Sequence, residues 1–157
     1  MSIDELFEQA RISMDNSYSP YSSFKVGAAI KTDDGKIYGG TNIENASLSL
    51  TLCAERVAIF KAVSEGHKSF TDLALVSSNG QPIFPCGACR QVLMEFSPEI
   101  QIHQEGNDNK SKSLRDLLPN PFGPKDFKNP SWIIFWSLER DLEFEMQVAL
   151  HLEIQGF

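Results

Sequence analysis

The chain has 157 residues, 41% hydrophobic and 22% charged, the size and balance of one soluble domain that buries its core without disulfide staples. Its formal net charge of −7 argues against nucleic acid as a partner and for a small uncharged ligand. No apolar run approaches the roughly 20 residues that cross a bilayer, and the early Asp4, Glu5 and Glu8 are unlike a signal or transit peptide, so no membrane association and a cytoplasmic location are expected.

Ser2 and Glu5 form a capping-box pattern, and Ile3, Leu6, Phe7, Ala10 and Met14 follow at helical spacing. This predicts a helix that ends before Pro20. Residues 24–31 read as a strand, Asp33-Asp34-Gly35 as a hairpin turn and 36–42 as the returning strand. The stretch 44–66 starts irregular and becomes helical near Leu52, with Gly66 placed as its stop. The apolar run 72–78 predicts a strand buried on both faces. Residues 85–98 enter a helix near Cys86 and leave it before Pro98; 99–104 alternate like a strand, 105–112 form a polar loop and 113–119 a short helix. Helix, hairpin, then alternating helices and strands predict an α/β layered domain with helices packed on a mixed sheet. Further on, 131–136 and the alternating apolar residues from Phe144 to Ile154 predict a second hairpin.

The chemistry lies in Cys53-Ala54-Glu55 and Pro85-Cys86-Gly87-Ala88-Cys89. Each cluster sits at the first turn of a predicted helix, where the partial positive charge favours thiolates. Cys86 and Cys89 fall on one helix face, within reach of a single ion. Three thiolates leave a fourth position open, the mark of a catalytic rather than a structural zinc, and water there can ionise near neutral pH to a hydroxide. His67, His103 and His151 show no metal-binding spacing. Glu55, two residues beyond Cys53, is placed within reach of that water as a general acid or base. Three thiolates on one zinc sum to −1, and Arg56 is a candidate donor to a thiolate that restores positive character. By themselves Cys86 and Cys89 also fit a redox pair or a structural zinc, Phe24 a core aromatic, Asn42 and Glu44 a turn, and Arg56 a solvated helix residue.

With these residues in view, the chain resembles the small, homotetrameric, zinc-dependent cytidine deaminases. The matching stretches are Tyr18-Ser19-Pro20-Tyr21-Ser22-Ser23-Phe24, Val26-Gly27-Ala28-Ala29, Asn42-Ile43-Glu44-Asn45-Ala46, Cys53-Ala54-Glu55-Arg56, Pro85-Cys86-Gly87-Ala88-Cys89-Arg90-Gln91, and Leu117-Leu118-Pro119 with Phe122-Gly123-Pro124. They run in family order across residues 1–127. The resemblance implies a three-layer α/β/α fold with a mixed, roughly five-stranded sheet. It implies one zinc per subunit on Cys53, Cys86 and Cys89, catalysis by Glu55, and deamination of cytidine and 2′-deoxycytidine in pyrimidine salvage. It further implies that Phe24 stacks on the pyrimidine, that Asn42 and Glu44 bond the ribose 3′-hydroxyl, and that backbone groups around Ala54 and Cys86 read the base edge. Phe122 would enter a neighbouring subunit's site, making a tetramer with shared sites. Where family members often carry an aromatic, this chain has Ser47-Leu48. Residues 128–157 have no counterpart and are expected to be an extension to the catalytic domain at 1–127.

Overall fold

The computed structural model describes residues 2–106 and 111–127. The chain divides into two compact units after Pro121. In the second unit a short 3-10 turn, Pro124–Asp126, is closed by the Gly123 N–H donating to Asp126, and Phe122 meets Phe127 edge to face. The expected hairpin in 128–157 lies outside the described residues.

The first unit opens with α1 (Ile3–Asp15). Its start is fixed by a reciprocal cap, in which the Ser2 hydroxyl accepts the Glu5 N–H and the Glu5 carboxylate accepts the Ser2 N–H. Strands β1 (Val26–Thr32) and β2 (Ile37–Thr41) form the hairpin, with Gly35 in the left-handed region at φ 91°. A 3-10 turn (Leu48–Leu50) precedes α2 (Ala54–Ser64). Then follow β3 (Phe70–Ser77), α3 (Gly87–Phe96) and β4 (Gln101–Gln104). A two-residue strand β5 (Lys112–Ser113) leads into α4 (Leu114–Leu117). The strand order is β2-β1-β3-β4-β5. β1 runs antiparallel to β2 and β3, β3 parallel to β4, and β4 antiparallel to β5. The sheet is mixed and five-stranded, as the resemblance implies. The polar pair forming β5 reads as loop and helix start in sequence, because only its pairing with Gln101 and Ile102 makes it a strand.

Alternation along β1 sorts the core into two layers. Ala29 joins Ala74 and Val76 against Leu6, Phe7 and Ala10 of α1. Ala28 and Ile30 face the other way, onto Ala54, Ala58 and Ile59 of α2 and Leu93 of α3. The result is α1, sheet, and α2 with α3: three layers. No helix among the described residues is long and apolar enough to cross a membrane.

One contact seats the helix that matters for the site. At Gly40 of β2, a Cβ would lie 2.5 Å from the Ala54 carbonyl oxygen and press on the Ala58 amide nitrogen. Both are helix backbone and cannot turn aside. Gly40→Ala should therefore lift the N-terminal end of α2 and destabilise the protein by about 1–3 kcal/mol, the usual cost of overpacking. A thermal melt showing an unchanged midpoint would contradict this packing.

Candidate metal centre

Two helix starts meet at the site. Cys53 is the N-cap of α2 and Cys86 the N-cap of α3, both with extended backbone and neither side chain capping its own helix. Cys89 lies in the first turn of α3, three residues after Cys86. The N-termini of both helices thus lie at the sulfur group, where their partial positive charge favours negative charge.

The Cys53 and Cys86 sulfurs stand 3.8 Å apart, those of Cys86 and Cys89 3.5 Å, and all three lie within 4.8 Å of one another. Tetrahedral zinc with Zn–S bonds of about 2.3 Å needs sulfurs about 3.8 Å apart. The observed spacing fits that requirement. Among the described residues no fourth protein ligand joins the group, so the set suits a catalytic ion with one position left to a small molecule. Cys89 is buried, Cys53 partly so, and Cys86 is exposed. Among the sulfurs alone, bonding from Cys89, with help from the Arg56 guanidinium, lowers the Cys53 thiol to about 5 against the effect of burial. The same bond and its own burial push the Cys89 thiol up.

Glu55 lies in the first turn of α2 and is only 5% exposed. Burial, with the Cys53 charge beside it, pushes its carboxyl up to about 7. A carboxyl in that range both takes and gives protons near neutral pH. Arg56 places Nη2 3.8 Å from the Cys53 sulfur and 2.9 Å from the Thr51 carbonyl, while its Nε is buried without a partner. Thr51 thereby aims the guanidinium at the sulfur. Arg56→Ala should weaken zinc binding about 10- to 100-fold, as loss of such an outer donor does. A zinc competition titration with a chelator measures it, and unchanged retention would remove Arg56 from the metal site.

Arg90 ties the Cys86 turn in place. Its Nε donates to the Pro85 carbonyl at 2.7 Å and its Nη1 to the Leu117 carbonyl at 2.9 Å. Of the remaining sequence candidates, Ala54 is fully buried at the start of α2. Phe24 is half-buried. Asn42 is buried and bonded to the Phe24 carbonyl and the Val26 N–H. Glu44 accepts the Tyr21 and Ser22 N–H groups and the Ser22 hydroxyl. These bonds, the Ser22 hydroxyl foremost, hold its carboxyl below the usual range. The structure therefore brings Cys53, Cys86, Cys89, Glu55 and Arg56 together, and separately links Phe24, Asn42 and Glu44. Phe122 belongs to the second unit and is 59% exposed. Ser22, Thr51 and Arg90 were not among the sequence candidates, since no spacing distinguishes them until their partners are known.

Fold and site define a class: an α/β/α domain that presents three sulfur ligands and an acid at two converging helix starts. The family described as cytidine and deoxycytidylate deaminase zinc-binding region matches residues 1–103. A cytidine deaminase from Sporosarcina psychrophila is 43% identical over 129 residues, covering 80% of this chain and 95% of that protein. The crystal structure of cytidine deaminase from Burkholderia pseudomallei superimposes with a TM-score of 0.73 at 43% identity, covering 78% of this chain and 100% of the other. That of cytidine deaminase from Mycobacterium tuberculosis gives 0.72 at 40%, covering 78% and 98%. The chain belongs to the zinc-dependent cytidine deaminase family, and Cys53, Cys86 and Cys89 are positioned to bind its metal.

Proposed function

We infer that this chain hydrolyses the exocyclic amine of cytidine and 2′-deoxycytidine, giving the uridine nucleoside and ammonia, a step of pyrimidine salvage. The observation that carries the reading is the buried Glu55 carboxyl in the first turn of the helix that Cys53 starts, with Cys53 grouped at zinc spacing with Cys86 and Cys89 of the second helix start. Zinc, when bound by Cys53, Cys86 and Cys89, supplies a Lewis acid that makes water a nucleophile near neutral pH. Glu55 takes a proton from the attacking water and delivers it to the ring nitrogen next to the amine-bearing carbon. It then carries the second proton to the amine, which leaves as ammonia. The helix starts of α2 and α3 and the Arg56 guanidinium offset the excess negative charge of the sulfurs.

Phe24 stacks on the pyrimidine, Asn42 and Glu44 hold the 3′-hydroxyl, and backbone groups around Ala54 and Cys86 read the base edge. An amide donor beside a carboxylate acceptor suits a hydroxyl, which accepts from one and donates to the other. The Glu44 charge and the net −7 of the chain disfavour a phosphorylated substrate. Free, metal-spaced thiols suit a reducing compartment, in keeping with a cytoplasmic enzyme.

The enzyme is a homotetramer in which Phe122 completes a neighbour's site. Leu48 and Leu50, 70% and 65% exposed, supply apolar surface for such contacts. Light scattering that finds a monomer with full activity would refute the shared site. The function itself is tested by incubating purified protein with cytidine, 2′-deoxycytidine and their monophosphates, with and without a chelator. Chelator-sensitive conversion of the two nucleosides alone is expected; conversion of the monophosphates, or of nothing, would overturn the reading.

A further inference from the structure

Phe24 sits at the end of an exposed segment that includes Ser23, whose φ of 54° lies in the left-handed region. A residue with a side chain adopts that conformation at a cost, so surrounding bonds must hold it. Two side chains beyond β2 do so. The Asn42 amide donates from Nδ2 to the Phe24 carbonyl at 2.8 Å; its Oδ1 accepts the Val26 N–H at 2.9 Å and the Ser17 hydroxyl at 2.6 Å. Glu44 accepts the Tyr21 N–H at 2.9 Å and the Ser22 N–H at 3.2 Å on Oε2, and the Ser22 hydroxyl on Oε1. That same hydroxyl oxygen accepts the Phe24 N–H at 3.1 Å.

A hydroxyl donates one bond and accepts two, so Ser22 can serve both neighbours at once. Both backbone polar groups of Phe24 therefore end on the residues assigned to the sugar. The carbonyl reaches Asn42 directly; the N–H reaches Glu44 through the Ser22 oxygen.

We propose that Ser22 is a positioning residue which couples recognition of the sugar hydroxyl by Glu44 to the placement of Phe24 against the base. The inference rests on the reading of Phe24, Asn42 and Glu44 as substrate-binding residues. A hydroxyl bound by Glu44 fixes the carboxylate, the carboxylate fixes Ser22, and Ser22 fixes the Phe24 backbone. Contacts to sugar and base then reinforce each other, although the two parts of the ligand touch different side chains.

The test uses the full-length, zinc-loaded protein with Ser22→Ala and Ser22→Thr variants, against cytidine and 3′-deoxycytidine. Ser22→Ala should raise KM for cytidine about tenfold with kcat within about twofold, the signature of lost uniform binding through a charge-assisted bond. Ser22→Thr, which keeps the hydroxyl, should restore KM. Removing the 3′-hydroxyl from the substrate should cost less in Ser22→Ala than in wild type, because the coupling is already broken. Amide hydrogen exchange supplies a readout independent of turnover: cytidine should slow exchange at Phe24 in wild type and not in Ser22→Ala. An unchanged KM, equal penalties on the two substrates, or the same protection of Phe24 in both proteins would overturn the coupling while leaving the deaminase reading intact. A wild type that neither binds nor converts cytidine would bring down both.

Discussion

Replacing Glu55 with Gln should lower turnover of cytidine by a factor on the order of 10³ while leaving zinc bound, because in the proposed reaction the side chain moves protons and holds no metal. The substitution keeps the shape of a side chain that is 5% exposed, so it opens no cavity in α2. It also removes a group whose charge burial disfavours, so the fold should not suffer. The contrast with ordinary destabilisation is sharp: zinc content and melting temperature stay near wild type, and only the chemical step slows. Metal analysis, a thermal melt and uridine production on the same preparation separate these outcomes. Activity within tenfold of wild type would mean that another group carries the protons.

The place of that acid, in the first turn of α2, is legible in the chain itself. Local signals were legible because they depend on neighbours in the chain. The cap of Ser2 and Glu5, the turn at Gly35 and the stop at Gly66 are set by backbone geometry within a few residues, and each stands where the pattern put it. The metal set was legible because three cysteines offer few arrangements, and two helix starts were readable around them. Pairing was not legible. Nothing in DLALVSS tells that β3 runs antiparallel to β1 on one side and parallel to β4 on the other, and a Lys-Ser pair becomes β5 only because Gln101 and Ile102 lie beside it. Gly40 reads as a weak strand residue until α2 is seen to press its backbone there. The bonds of Ser22, Thr51 and Arg90 are likewise invisible in sequence. Serine, threonine and arginine occur everywhere, and only the fold shows that the Ser22 oxygen lies between a carboxylate and the Phe24 amide.

The second large effect concerns the ion. Cys89→Ala should leave zinc below about a tenth of one equivalent per chain and activity at background, since two sulfurs without a third cannot fill the coordination a bound zinc requires. The loss should extend to the fold. Cys53 and Cys86 start two different helices, with sulfurs 3.8 Å apart, so an ion shared among the three thiolates fastens α2 to α3. A ligand that binds only the folded state adds to its stability by mass action. Treating wild type with a chelator should therefore lower its melting temperature by several degrees, toward that of Cys89→Ala, and the variant itself should not respond to chelator. Protons compete with zinc for the sulfurs, and the bond to Cys53 together with burial raises the Cys89 thiol, which strengthens that competition. Zinc retention in wild type should consequently weaken as pH falls and strengthen as it rises, read by metal analysis after dialysis at each pH. A Cys89→Ala protein that keeps its zinc and still makes uridine would break the link between the three sulfurs and the reaction, because the ion would then be held somewhere that neither helix start explains.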